Sequence, residues 1–392
     1  MPHIFFFIIG KNLDNRRRVE HDDIPRFTMQ ELQSLLASYF CSKNMIMEYR
    51  TLRVIEVNVP WFDDDFVKFM QQSVSIHYTG AVDYYFTSNR TDVKLAIEDF
   101  MKKIGTDGNF HQLIHQISDS AETFSIDRVF HTMPIDENID QTIKVKLGAM
   151  IDSKKGLSVD LDQPDKKIRV IISTTREAPH YIVIALSCTG HYHKVRGFKA
   201  RYARHRPAFE IGTMNPPLTS LMVNFCLPCR KIQNWYLDPF CGTGGIMIEF
   251  TDRNLLPCIG MDVDASKVRG CLKNVRHYSD ACAIGHHLLQ ASIFKDPFRP
   301  GFNSPQGPII VTDPPYGKLE SLRDVELEKY VLHILKLGNR ISTMCFAIPE
   351  DKLNSIKEII AETYPNAGIK QFLLEQHPGF TRACVLVQKK TR

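Results

Sequence analysis

From Trp235 onward the chain alternates short apolar runs with amphipathic stretches, a period that confines it to a mostly parallel sheet covered by helices on both faces. The runs Trp235–Asp238, Pro257–Met261, His286–Gln290, Pro308–Thr312 and Ile341–Ile348 predict strands. Thr243–Asp252, Ala265–His277, Asp324–Leu337 and Glu350–Thr363 predict helices between or after them. Open α/β sheets bind ligands beyond the carboxyl ends of their strands. The residues just after each apolar run are therefore the first candidates for chemistry.

After the first run stands Asp238-Pro239-Phe240-Cys241-Gly242-Thr243-Gly244-Gly245, which opens a helix. Glycines there let backbone approach a ligand that a Cβ would block. No Gly-Lys-Ser/Thr follows, so this is not a phosphate loop, and Gly245 breaks the G-x-G-x-x-G spacing. Asp238 suits the α-ammonium of an amino-acid-bearing cofactor better than a pyrophosphate. Twenty-four residues later, Asp262 ends the next strand, where an acid can accept hydrogen bonds from both ribose hydroxyls. Asp264 reads as the cap of the following helix. The nucleoside cofactor that fits is S-adenosylmethionine; a purely structural strand-to-helix turn is the plain alternative.

After the fourth run comes Thr312-Asp313-Pro314-Pro315-Tyr316-Gly317, 75 residues beyond Asp238 at its Asp and on the same sheet edge. Two prolines fix an extended path that no helix continues. The Asp313 carboxylate and the Pro314 carbonyl can then both face one amine. Such a pair suits an exocyclic NH₂ on a planar base, with Tyr316 as a stacking face. Asp-Pro-Pro alone would read as a proline-rich turn, but its place after this glycine loop favours catalysis.

The residues before Trp235 divide differently. His3–Ile9 and Ser75–Thr87 read as strands, Met45–Val59 as a strand or hairpin, and Thr28–Phe40 and Trp61–Val74 as helices, in the β-α-β-β-α-β order of a ferredoxin-like unit. Asp63-Asp64-Asp65 reads as acid at a helix N-terminus rather than a metal site. Beyond it, Asp92–Ile104 and Glu137–Ile151 predict helices, and Phe124–His131, Lys167–Ser173 and His180–Ser187 strands. Met1-Pro2-His3 and the run Ile4–Ile9 lack the basic start and cleavage site of a signal peptide. The ten cysteines show no disulfide spacing, which favours a reducing, cytoplasmic compartment. Cys226-Leu-Pro-Cys229 has no second matched pair, so no metal is expected.

These motifs resemble the amino-methyltransferases, whose signature is Asp/Asn/Ser-Pro-Pro-Tyr/Phe/Trp. The resemblance implies catalytic roles for Asp313, Pro314 and Tyr316, and cofactor contacts at Asp238, Gly242, Thr243, Gly244, Asp262 and Val263. Ser292, in Gln290-Ala291-Ser292, stands where that family often has an acid for the adenine amine. Leu147-Gly148-Ala149-Met150-Ile151, Gly156-Leu157-Ser158-Val159-Asp160-Leu161, Pro164-Asp165 and Ile168-Arg169-Val170 resemble a THUMP domain, an RNA-binding module of tRNA-modifying enzymes. Cys188-Thr189-Gly190, Arg196-Gly197-Phe198, His205-Arg206-Pro207 and Met214-Asn215-Pro216-Pro217-Leu218 continue the likeness.

The layout is similar to that of the THUMP-domain tRNA guanine-N2 methyltransferases, most of all the guanosine-10 enzymes of archaea and eukaryotes. It implies an α/β chain. Residues 1–90 would be ferredoxin-like, 91–190 THUMP, 191–215 a basic linker, and 216–392 a Rossmann-like class I methyltransferase domain. It implies tRNA as partner; the eukaryotic members also work with a small zinc-binding activator subunit. Guanosine-6 enzymes share the layout. A DNA adenine-N6 methyltransferase shares the turn, and a non-catalytic RNA-binding protein is the rival of another class.

Charge fits RNA. Residues 191–210 carry six Lys or Arg against one acid, a net +5 equal to that of all 392 residues. Lys194, Arg196, Lys199, Arg201, Arg204 and Arg206 are thus expected to neutralise phosphates, with the interleaved aromatics stacking on bases.

Overall fold

The chain divides by its internal contacts into two units, described separately below. One comprises residues 1–10, 44–71 and 76–191, the other 11–43, 72–75 and 192–392. This computed structural model describes residues 3–9, 23–41, 45, 47–51, 54–131, 137–153, 156–173, 179–186, 188–190, 192–227, 235–253, 255, 257–278, 286–295, 308–316, 326–337, 343–377 and 380–389. No helix among them is long and apolar enough to cross a membrane.

The first unit holds two five-stranded sheets. In one, the order is Cys188–Gly190, Ile76–Ala81, His3–Ile9, Val54–Val59, Met47–Thr51, with every pairing antiparallel. The helix Asp64–Met70 belongs to this unit; the Asp63 side chain accepts from Phe66 N at 2.6 Å, so the acidic triplet caps a helix as expected. In the other sheet the order is Tyr84–Ser88, His180–Ala185, Lys166–Ser173, Thr123–His131, Ser158–Val159. The expected single strand over 75–87 is therefore two, one in each sheet. Helices Val93–Thr106, Gly108–Ser118 and Glu137–Asp152 complete the unit. Gly108–Ser118 was not foreseen. Asp107 caps it by accepting from Asn109 N and Phe110 N, and it buries Phe110, Leu113, Ile114 and Ile117.

The second unit is built on a seven-stranded sheet: β1 Trp235–Asp238, β2 Cys258–Asp262, β3 His286–Gln290, β4 Pro308–Thr312, β5 Thr343–Pro349, β6 Ala367–His377 and β7 Phe380–Lys389. The order is β3-β2-β1-β4-β5-β7-β6, parallel except for β7, which runs antiparallel to both neighbours. Every residue of β1 and β4 is buried, as a strand covered on both faces requires. The β6–β7 hairpin was not foreseen, although Ala383–Val387 is a continuous buried apolar run. Around the sheet lie α1 Asp23–Phe40, α2 Tyr192–Arg201, α3 Pro216–Phe225, α4 Gly245–Asp252, α5 Ala265–Tyr278, α6 Leu327–Leu337 and α7 Leu353–Thr363.

Helix α1 lies in this unit rather than with residues 44–71, and a buried polar chain holds it there. The fully buried Glu31 accepts hydrogen bonds from Val74 N (2.7 Å), Ser75 N (3.0 Å), Ser73 Oγ (3.0 Å), Asn224 Nδ2 (2.6 Å) and the Ser75 hydroxyl. Asn224 Oδ1 accepts from Arg253 Nε at 2.8 Å. Arg253 pairs with Glu249 at 2.9 Å, and Glu249 and Asp252 also meet Arg201 of α2, at 3.4 and 2.9 Å.

Among the described residues, Cys226, Cys241, Cys258, Cys271, Cys345 and Cys384 are buried and stand outside any disulfide. Cys41 is disulfide-bonded, against the expectation of reduced cysteines. Spacing in sequence carries no sign of a bridge closed through the fold. Cys229 lies outside the described residues.

Glu31→Ala would leave several buried donors without an acceptor, at about 1–3 kcal/mol for each one left unmet. In a Trp61→Phe background Trp235 reports on the catalytic unit. Urea unfolding followed by its fluorescence should show a loss of about 3 kcal/mol or more; a change under about 0.5 kcal/mol would show that the chain does not hold α1.

Candidate cofactor and catalytic site

β1 pairs with β2 on one side and β4 on the other, so the connections that leave β1 and β4 part at their carboxyl ends and open a crevice there. The glycine loop lines it. Gly244 has φ +91°, and a Cβ there would lie 2.8 Å from Cys271 Sγ. Gly242 has φ +49°. The loop is tied to β2 by Cys241 N donating to Met261 O (2.7 Å) and Gly242 N donating to Asp262 Oδ2 (3.0 Å).

Asp238 is 1% exposed. Thr312 Oγ1 donates to its Oδ1 at 2.6 Å and Phe240 N at 3.2 Å. Burial pushes this carboxyl up to about 7, opposed by those hydrogen bonds and assisted by the charges of Asp313 and Asp262. Asp262 is also raised by burial. Its Oδ1 accepts from Asp264 N at 2.9 Å. Asp264 accepts from Ser266 N at 2.7 Å, the capping role expected of it.

Val263 is exposed beside Asp262, and Ala291 N donates to Asp262 O at 3.0 Å. This brings the segment containing Ser292 against the end of β2. Ser292 Oγ accepts from Phe294 N at 3.3 Å and starts a short 3₁₀ turn, Ile293–Lys295. Asp238, Gly242, Thr243, Gly244, Asp262, Val263 and Ser292 thus stand along the ends of β1, β2 and β3.

The turn after β4 adjoins them. Thr312 holds Asp238 from β4, so the next residue, Asp313, stands at the mouth of the same crevice. Arg382 Nη1 donates to Asp313 Oδ2 at 2.9 Å, and its guanidinium lies 5.5 Å from the Tyr316 ring centre. Asp313 Oδ1 is buried and meets no hydrogen-bond partner among the described residues. Burial raises the Asp313 carboxyl, while Arg382 and the neighbouring Tyr316 hydroxyl pull it back. The Tyr316 phenol is driven well above its ordinary range by burial and by Asp313. Pro314 is buried and follows Asp313 outside any regular element. Gly317 lies outside the described residues.

Three carboxylates so converge beside a left-handed glycine loop, and Thr243 Oγ1 there is also buried without a hydrogen-bond partner among the described residues. A ligand bearing positive charge and hydroxyl donors fits this donor set, as S-adenosylmethionine does. Asn274 of α5, fully buried, was not foreseen. It exchanges hydrogen bonds with Ala208 N (2.8 Å) and O (2.9 Å) and donates to Thr243 O at 2.7 Å. The loop over 207–213 is thereby fastened to the glycine loop. Only a polar residue on an otherwise apolar helix face could have signalled it.

The basic segment divides in two. Lys199 and Arg204 are exposed. Lys194 and Arg196 lie on α2, but their side chains are outside the described residues. Arg201 and Arg206, expected to meet phosphates, are each only 6% exposed. Arg201 is taken up by Glu249 and Asp252, and Arg206 Nε donates to Arg201 O at 2.8 Å, with its Nη1 beside Gly245. These two arginines fix α2 and the loop after it to α4.

Sheet order and paired motifs define a Rossmann-like, class I methyltransferase unit. Residues 203–352 match the family described as UPF0020, RMKL-like, methyltransferase domain. The chain is 28% identical to the tRNA (guanine(10)-N2)-dimethyltransferase of Methanothermobacter thermautotrophicus over 256 residues, 64% of this chain and 69% of that one. It is 31% identical to the enzyme of the same name from Methanocaldococcus jannaschii over 234 residues, 58% of this chain and 62% of the other. Among solved structures, TrmN from Thermus thermophilus aligns with a TM-score of 0.48 at 15% identity, covering 99% of this chain and 100% of that chain.

Asp238 gives a signed test. Its folded pKa, about 7, lies above the ordinary carboxylate value. The native state therefore keeps a proton that the unfolded chain releases, and stability from this group falls as pH rises through that window. Asp238→Asn should flatten the fall and raise stability at about pH 8 relative to wild type, while calorimetry shows S-adenosylmethionine affinity reduced at least about tenfold. An unchanged pH slope would refute the assignment of this proton.

Proposed function

We propose that this chain transfers a methyl group from S-adenosylmethionine to the exocyclic N2 of guanosine 10 in tRNA. The observation that carries the reading is the Asp313 carboxylate: one oxygen held by Arg382, the other buried without a hydrogen-bond partner among the described residues, one residue from Thr312, which binds Asp238 of the glycine loop. The archaeal relatives named for guanine(10)-N2 supply the substrate.

In this reading the cofactor supplies an activated methyl group on a sulfonium. The protein positions the nucleophile. Asp313 Oδ1 and the Pro314 carbonyl would accept the two N2 hydrogens and so orient the nitrogen lone pair for transfer. Tyr316 offers its ring to the base plane. Because burial raises the Asp313 carboxyl, it can hold the proton that the methylated amine gives up. A guanine in a stem must leave its stack to reach this turn. Asp238 would hold the cofactor ammonium, Asp262 its ribose hydroxyls, and Val263 and Ser292 would take the adenine.

Residues 91–190 serve as a THUMP-type RNA-binding unit that selects the nucleotide presented, behind a ferredoxin-like unit over 1–90. Lys199 and Arg204, with Lys194 and Arg196 on the same segment, neutralise tRNA phosphates. The setting is cytoplasmic, and a small zinc-binding activator subunit is a candidate partner, as in the eukaryotic enzymes of this kind.

The test uses the full chain, unmodified tRNA transcripts and labelled cofactor, with the labelled nucleotide mapped. Label should enter at N2 of guanosine 10. Asp313→Ala should slow transfer on the order of 10³-fold and leave cofactor binding by calorimetry within about twofold. Label in duplex DNA but not tRNA, or in guanosine 6, would overturn the substrate; near-normal transfer by Asp313→Ala would overturn the mechanism.

A further inference from the structure

Arg382 lies outside both motifs, on the one strand of the sheet that runs against the rest. Its register partner is Pro349, at the carboxyl end of β5, while β4 pairs Thr312 with Phe346. A residue near the start of an antiparallel β7 therefore comes level with the turn after β4, where the parallel strands end. Its side chain is only 7% exposed. It reaches Asp313 Oδ2 at 2.9 Å and lies over the Tyr316 ring.

We infer that Arg382 is a positioning residue for methyl transfer: it pins one oxygen of Asp313 and keeps that side chain a hydrogen-bond acceptor aimed at the substrate amine. The inference rests on the catalytic reading of Asp313 given above. An amine can be oriented only by an acceptor, so a protonated Asp313 would present an O–H to the N2 hydrogens and turn the lone pair away. The groups that face Asp313 are Arg382 and Cys384 from β7, Tyr316 from its own turn, and Asp238 from β1. Cys384 and Tyr316 are pushed up by burial and stay neutral. Asp238 adds negative charge when ionised. Burial thus favours a neutral Asp313, and Arg382 supplies the opposing positive charge, with the Tyr316 hydroxyl acting in the same direction as Arg382. A planar fork also fixes rotation of the carboxylate, which a point charge does not.

The sign follows directly. Transfer needs ionised Asp313, so the rate falls on the acid side as that group is protonated; without Arg382 its pKa rises and the acid limb moves to higher pH. Single-turnover transfer to saturating tRNA by the full chain should be measured from about pH 5 to about pH 9 for wild type, Arg382→Gln and Arg382→Lys. Arg382→Gln is expected to shift the acid limb upward by about one unit or more and lower the rate at neutral pH about 10- to 100-fold. Cofactor affinity by calorimetry should stay within about threefold. Arg382→Lys should return the acid limb to its wild-type place while the rate stays about tenfold low.

An unmoved acid limb in Arg382→Gln, or a loss matched by lost cofactor binding, overturns the inference. If Arg382→Gln does not fold, Arg382→Lys decides: full wild-type rate overturns it, and a reduced rate with an unmoved acid limb supports it. Asp313→Ala separates the two levels. Its retention of activity defeats the catalytic reading, whereas an inactive Asp313→Ala with a wild-type profile in Arg382→Gln defeats only the role of Arg382.

Discussion

The 2.6 Å hydrogen bond from Thr312 Oγ1 to Asp238 Oδ1 joins the two halves of the site where the sheet divides. β1 and β4 pair in parallel through Leu237 and Ile310 and are buried on both faces, so neither strand end can shift without disturbing the core. Beyond that point backbone pairing stops, and polar side chains must be satisfied by each other. Thr312 does this for Asp238, and it thereby sets the distance between the glycine loop and Asp313. A β-branched residue is stiff at χ1, which makes the link a fixed spacer.

Support for the loop comes from behind it. Helix α4 opens at Gly245, and its far end carries Glu249 and Arg253, the centre of the buried chain from Glu31 to Arg201. Buried ion pairs add little net stability but are costly to break, so they favour one arrangement over others. Here they set the axis of α4, and Asn274 fastens the preceding loop to Thr243 from the other side. Two distant segments, α1 and α2, are thus used to hold a turn of a few glycines.

What could be read from residue order follows the range of each interaction. Asp238, Gly242, Gly244, Asp262 and the Asp313 turn are local: an apolar strand, then a turn whose residues have backbone or charge reasons to be there. Their neighbours in space are of the kind a parallel sheet dictates. Arg382 escapes that logic, because it reaches the site only through an antiparallel hairpin, and nothing near it in sequence marks the pairing. The basic segment misleads for the opposite reason. Six cations between residues 194 and 206 suggest one anionic partner, but helical geometry splits them. Phe198 and Arg201, three residues apart, share a buried face, with the guanidinium 5.0 Å from the ring centre, while Lys199 points outward. Helix α1 shows the same limit, since a carboxylate in an amphipathic helix gives no hint that five donors converge on it.

Electrostatics then couples the parts. Asp238, Asp262 and Asp313 are all raised by burial, and Asp238 is raised further by the other two. Without a bound cation this cluster holds a proton near neutral pH. A cationic ligand beside Asp238 would favour its ionised form and release that proton, and by reciprocity the ionised form binds the cation more tightly. Asp313 would feel the same positive charge across the Thr312 link, in the same direction as Arg382. Cofactor occupancy and the acceptor state of Asp313 are therefore not independent: each makes the other less costly, and an acid-rich crevice becomes ready to orient an amine only once positive charge has entered it.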